Sequence, residues 1–377
     1  MDHKPSLITG LISLAAVLAL AGCALPSITP PATYAPTQEP TITLPAVPTA
    51  VPPTATPAVQ PVLITSANAA QLKQANLAPA SNVQAMDWSA DSATLGLVSQ
   101  NQDSSGNAVF SATLLDGRSL AVKTVWAAPD GGRITRIGPD GRLAAVISAD
   151  ARTATLYDLG DGDRDVVEIT PGYLVGGVTF SPDGKYFTIT DYDDMKVSLH
   201  NLPDGSEYKV LAGFQTAAPV FDVGFLGNSA SVVWHARAQI QLQDVETGTL
   251  GPSFEHEDFV SAMALSADGK VLASAAGKTI NGNFQPAVTL WDTASGNVLQ
   301  TLVLPQTALG LSFSPDGSLL AVATGNEVQI WNAASGVQLT TLSGHSAPVN
   351  LVAFSPDGKS LASSAQDNQL ILWQVLQ

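Results

Sequence analysis

An all-β fold built from one repeated sheet is predicted for this 377-residue chain by a strand–turn–strand unit that recurs along it and by the period of that recurrence. The clearest copies read VTFSPDGKYFTIT from Val178, LSFSPDGSLLAVA from Leu311 and VAFSPDGKSLASS from Val352, with LSADGKVLASA from Leu265 as a close variant. Alternating apolar residues make each half of the unit a strand with one buried face. Pro182, Pro315 and Pro356 preset φ for the turn, and Gly184, Gly317 and Gly358 accept the left-handed conformation that closes it. Weaker copies are anchored at Trp88, Ile137 and Phe225. The seven anchors, Trp88, Ile137, Phe180, Phe225, Leu265, Phe313 and Phe354, are separated by 49, 43, 45, 40, 48 and 41 residues. That spacing is the length of a four-stranded propeller blade. The expectation is a seven-bladed β-propeller of four-stranded antiparallel blades over residues 62–377.

The two longest intervals contain polar insertions, Gln100 to Asn107 and Gly277 to Pro286, both placed between the second and third strands of a blade. They read as lengthened loops, since added loop length contributes no core burial. The seventh blade has sequence for three strands up to Gln377, which leaves one sheet edge open. The segment Pro61 to Leu77 precedes the first blade and belongs to none, so it is expected to supply the missing outer strand.

The N-terminus carries a different signal. Lys4 is followed by an apolar run from Leu7 to Ala21 and then by Gly22 and Cys23, the only cysteine, so that the two residues before it, Ala21 and Gly22, are small. Such a run is too short to cross a bilayer as a helix and reads as a secretory signal. Leu20-Ala21-Gly22-Cys23 resembles the bacterial lipobox at all four positions. The resemblance implies cleavage after Gly22, a diacylglyceryl thioether on Cys23 and acyl chains such as palmitate holding the protein in a membrane. From Pro26 to Pro61 there are eleven prolines and one charged residue, Glu39. This is the composition of a disordered stalk with a polyproline II bias, ~3.1 Å per residue when extended. The organisation is therefore a signal peptide over 1–22, a lipidated N-terminus and Pro/Thr-rich linker over 23–61, and the propeller. The expected location is the outer face of the cytoplasmic membrane or the cell envelope.

The third strands add a family resemblance. Trp291-Asp292, Trp331-Asn332 and Trp373-Gln374, with Tyr157-Asp158 and Gln243-Asp244 as degenerate versions, resemble the signature dipeptide of the WD-repeat β-propeller family. The last blade resembles the full pattern: Gly344-His345 opens it, Ser363 or Ser364 lies on its second strand, and Asp367 precedes Trp373. The resemblance implies a structural hydrogen-bond chain through His345, Ser363, Asp367 and Trp373. The other blades lack the histidine and are expected to rely on packing.

The net charge of −16 argues against a nucleic-acid partner, which requires clustered Lys and Arg. No histidine pair has metal-ligand spacing. Asp161, Asp163 and Asp165 imitate the start of a calcium loop, but Val166 and Gly172 stand where a glycine and a bidentate glutamate are needed. Nucleophile elbow, phosphate loop and dinucleotide fingerprint are absent. No catalytic residue, metal or cofactor is assigned. The expected role is a monomeric, noncatalytic scaffold or receptor for another protein. The alternative is a propeller enzyme, a hydrolase or lyase, or a glycan-binding module using carboxylates at the channel mouth. The candidate binding face gathers the loops before the inner strands and those joining second to third strands: Tyr173, Phe221, Phe259, Asn281, Phe284, Gln306 and Asn350, with the insertion around Asp103.

Overall fold

The computed structural model describes residues 60–160, 164–191, 196–211, 222–225, 231–236 and 238–376; Cys23, the stalk up to residue 59, Phe221, Asp161 and Asp163 lie outside them. Seven antiparallel sheets follow one another along the chain, six of them four-stranded. From inner to outer strand, blade 1 runs from Val83–Trp88 to Val122–Ala127 and blade 2 from Arg133–Ile137 to Arg164–Ile169. Blade 3 runs from Val175–Phe180 to Glu207–Leu211, and blade 4 from Asp222–Phe225 to Leu250–Glu255. Blade 5 runs from Ala262–Leu265 to Val298–Val303, and blade 6 from Ala308–Phe313 to Val337–Ser343. Blade 7 begins at Val349–Phe354 and contributes its own strands as far as Gln369–Leu376.

The repeated turn owes its geometry to serine and aspartate as well as to glycine. Ser181 Oγ donates to Asp183 Oδ1 at 2.8 Å and accepts the Tyr186 N–H at 2.9 Å. The same triangle recurs at Ser89, Ser266, Ser314 and Ser355. Gly184, Gly317 and Gly358 have φ of 69°, 70° and 67°, the left-handed values that glycine adopts without a steric penalty.

Ring closure uses two strands where one was expected. Pro61–Val62 pairs with Leu376 and Val375, and Lys73–Pro79 pairs with the stretch from Gln374 to Gln369 of the same last strand. Between them, Ile64, Ala69 and Leu72 are buried in one core cluster with blades 6 and 7. The Ile64 N–H bonds Gly358 O at 2.9 Å, so the chain reaches the ring beside a Ser-Pro-Asp-Gly turn.

The two insertions are likewise not loops. Thr94–Gln102 pairs with Ala108–Asp116 out to Gln102 and Ala108, and Val271–Ile280 pairs with Asn283–Asp292 out to Ile280 and Asn283. Both are long β-hairpins, because added residues that can continue the ladder satisfy their backbone groups that way. Asn281 (φ 53°) and Gly282 (φ 79°) form the tight turn of one, matching the twist of its strands. In the other, Asp103 Oδ1 accepts the N–H groups of Ser105 and Asn107.

Candidate functional face and channel

In the last blade the four signature residues form one chain. Trp373 Nε1 donates to Ser363 Oγ at 2.8 Å, Ser363 Oγ lies 2.8 Å from His345 Nε2, and His345 Nδ1 lies 3.0 Å from Asp367 Oδ2. Ser363 is the member used, rather than Ser364. Burial raises the Asp367 pKa, but the N–H of Ser346, the His345 ring and the N–H of Gln369 outweigh it and hold the carboxylate below its ordinary value. These contacts tie the loop before the inner strand to the second and third strands.

Other blades contain shorter versions, which corrects the expectation that they rely on packing alone. In blade 3, Tyr173 Oη lies 3.0 Å from Ser198 Oγ, which lies 2.9 Å from His200 Nε2. His200 occupies the tryptophan position and Tyr173 the place of the loop histidine. Tyr173, read from sequence as a binding residue, is thus half-buried and bound within its own blade; burial raises its pKa. In blade 5, Trp291 Nε1 donates to Ser274 Oγ at 2.7 Å, and in blade 6 Trp331 Nε1 donates to Gln329 Oε1 at 3.2 Å. The acidic or amide residue that follows closes the turn to the outer strand: Asp292 Oδ1 accepts from Ser295 N and Asn332 Oδ1 from Ser335 N.

His256 stands before the inner strand of blade 5, its ring 5.3 Å from Trp291 and edge-on to it, and its Nε2 is buried without a hydrogen-bond partner among the described residues. Burial, reinforced by Lys278 and opposed by Glu255, pushes its pKa from 6.5 to about 4. A histidine depressed in the folded state contributes stability that is complete above pH ~6.5 and lost as pH falls through ~4. At ~1.4 kcal/mol per unit, protonation costs on the order of 3 kcal/mol. The Tm gap between wild type and His256→Leu should therefore shift against wild type between pH 7 and pH 4.5. A constant gap would refute this assignment.

The remaining face residues stay accessible. Phe284 is 60 % exposed on the blade 5 hairpin and Phe259 49 % exposed on the loop before that blade. Gly277 provides the seat for Phe284: a Cβ there would fall 2.3 Å from Phe284 Cζ and 2.9 Å from Asp258 Oδ2. Asn281 is exposed at the hairpin tip, exposed Gln306 lays its amide against Gly325, and Asn350 Oδ1 accepts from Gln366 Nε2 at 3.3 Å. Leu309, on the inner strand of blade 6, is 41 % exposed and joins this face. Sequence reading missed it because alternation alone does not separate a channel-facing position from a core one.

The channel divides into two cavities. The larger, about 480 Å³, is lined by Trp88, Ile137, Phe180, Phe225, Leu265 and Phe354, so six of the seven repeat anchors converge at the Ser-Pro-Asp-Gly end. The other, about 350 Å³, opens toward the hairpins and is lined by residues of blades 1 to 4, among them Gln84, Phe110, Arg133 and Thr190. Among the described residues, the single carboxylate in either lining is Asp87, 3.9 Å from Arg136 Nη1 and accepting the Ile137 N–H. Glycoside cleavage ordinarily requires two facing carboxylates. Among the described residues no three His, Cys, Asp or Glu are grouped for a metal ion.

A family model described as WD domain, G-beta repeat, matches residues 248–281, 296–332 and 336–374. Each match opens near the outer strand of one blade and runs into the next, so the repeat straddles neighbouring sheets. The serine-threonine kinase receptor-associated protein of Homo sapiens is 27 % identical over 244 residues, 64 % of this chain and 65 % of that protein. The chain thus spans just under two thirds of that relative. An uncharacterized WD repeat-containing protein of Synechocystis sp. is 30 % identical over 251 residues, 53 % of this chain and 68 % of that protein. The intraflagellar transport protein 122 homolog of Xenopus tropicalis is 40 % identical over 70 residues, 19 % of this chain and 6 % of that protein.

Proposed function

Because the chain belongs to the WD-repeat family, we propose that it is a noncatalytic scaffold that holds a partner protein on the face bearing the two long hairpins. A lipid on Cys23 keeps it at the outer face of the cytoplasmic membrane or the cell envelope. The observation that carries the first part is the pairing of projecting hairpins with exposed Phe259, Phe284 and Leu309 on one face. Exposed aromatics beside a cavity are the residues that anchor protein interfaces. The human relative is by name a receptor-associated protein.

The polarity of the ring fits a tether. The chain joins the ring at Pro61, opposite Leu376 and next to the turn at Gly358, which is the face away from the hairpins. With net charge −16, an anionic surface offers the protein no attraction, so attachment rests on acyl chains, and two or more are needed for a firm hold. Cys23→Ser should abolish incorporation of labelled fatty acid and leave the precursor uncut; label in the variant would overturn the anchor. The partner reading is tested by altering the two faces separately and comparing capture.

A further inference from the structure

We propose that the 350 Å³ cleft at the hairpin end of the channel is a carboxylate site, built to take the acidic side chain of a partner segment. The proposal deepens the reading of this face as the partner-binding one and rests on it for the occupant.

The cleft is lined from three sides by Gln84 and Phe110 of blade 1, Arg133 of blade 2, and Gly177 and Thr190 of blade 3. Arg133 is exposed and uses one N–H, from Nη2 to Gly176 O at 2.8 Å. Among the described residues no carboxylate pairs with it, whereas the neighbouring Arg136 already faces Asp87. The bond to Gly176 points the guanidinium across the cleft while leaving other donors of its fork unused. Gly176 is the residue skipped where the inner strand of blade 3 shifts register, which sets its carbonyl apart from the regular ladder.

The opposite wall is bare. A Cβ on Gly177 would meet only Thr190 Oγ1, at 4.0 Å. Thr190 is 7 % exposed, yet its hydroxyl makes no hydrogen bond among the described residues and borders the cleft. A hydroxyl that opens on a cleft with its donor uncommitted is available to a bound oxygen. Arginine donors and a threonine hydroxyl converging on one volume, with no acidic residue among the described residues of the lining, select an anionic oxygen pair. The planar guanidinium fork matches a carboxylate in a bidentate manner. The chain's overall negative charge does not forbid this, since charges more than about 8 Å away are largely screened at physiological salt.

The probe is N-acetyl-glutamyl amide, whose sole charge is the side-chain carboxylate, with its glutamine counterpart as the neutral isostere. Saturation-transfer NMR on the whole protein should show saturable binding of the glutamyl compound and at least about tenfold weaker binding of the glutaminyl one. Arg133→Gln should weaken the glutamyl compound about tenfold and Thr190→Val a few-fold, while Arg118→Gln, on the opposite face, leaves it unchanged. Gly177→Val should block it by filling the cleft, with an unchanged Tm showing that the fold persists. Equal binding of the two compounds, retention in Arg133→Gln, or stronger binding of inorganic phosphate at the same site would overturn the assignment. The titration involves no partner, so its failure is distinguishable from failure of the face assignment, which capture measures.

Discussion

Deleting residues 60–79 should convert the ring into an aggregating species without a cooperative thermal transition. The segment covers the last strand, Gln369–Leu376, along both of its halves and buries Ile64, Ala69 and Leu72 against blades 6 and 7. Burial of the two large side chains is worth about 2 kcal/mol each, and each ladder hydrogen bond about 1 kcal/mol. The sum approaches the entire stability of an ordinary domain, ~5 to 15 kcal/mol. The exposed edge also becomes a template for pairing with other chains. Calorimetry and size-exclusion chromatography check the outcome, and a synthetic peptide of residues 60–82 should restore a monomer. A soluble deletion protein with unchanged Tm would show that the ring does not need the closing strands.

The second large effect is expected at His345. His345→Ala removes the central member of a buried chain, leaving Ser363 and Asp367 short of partners and a void beside Trp373. A cavity plus unsatisfied polar groups costs about 3 kcal/mol. In a domain of this size that corresponds to a fall in Tm of about 5 °C. Removing one bond without opening a core void, as in Ser261→Ala, should cost about 1 kcal/mol. Equal Tm values for the two variants would show that the chain through His345 carries no special share of stability.

The parts of this fold that could be read directly are those determined by local chemistry. A Ser-Pro-Asp-Gly turn declares itself because its hydrogen bonds are made within six residues, from Ser181 to Tyr186. Closure was readable because the number of strands in the last blade leaves one place to fill. Its doubling into Pro61–Val62 and Lys73–Pro79 was not, since a two-residue strand has no periodicity. The insertions were misread as loops because QNQDSSGN and GKTINGNFQP are polar on both faces, and a projecting hairpin has no buried face to impose alternation. Tyr173, Ser198 and His200 were not recognised as a group because a tyrosine and a histidine stand in places where the family pattern has other residues. Arg133 and Thr190 come from different blades, and only the curvature of the ring brings them to one cleft. Phe259 and Phe284 were named from sequence, and both remain exposed.

The central claim is that partners are held on the hairpin face. The direct test is capture from cells by two variants compared with wild type. One joins Gly277 to Pro286 by a two-residue turn, removing Phe284 and the tip at Asn281; the other replaces Lys185 and Lys359 beside the Ser-Pro-Asp-Gly turns with glutamate. Shortening the hairpin should leave folding nearly intact, as each doubling of connection length changes closure entropy by only ~0.6 kcal/mol. The account predicts that the shortened protein loses the species crosslinked to wild type while the lysine variant retains it. Retention by the shortened protein together with loss by the lysine variant would contradict the account and place the binding face on the other side of the ring.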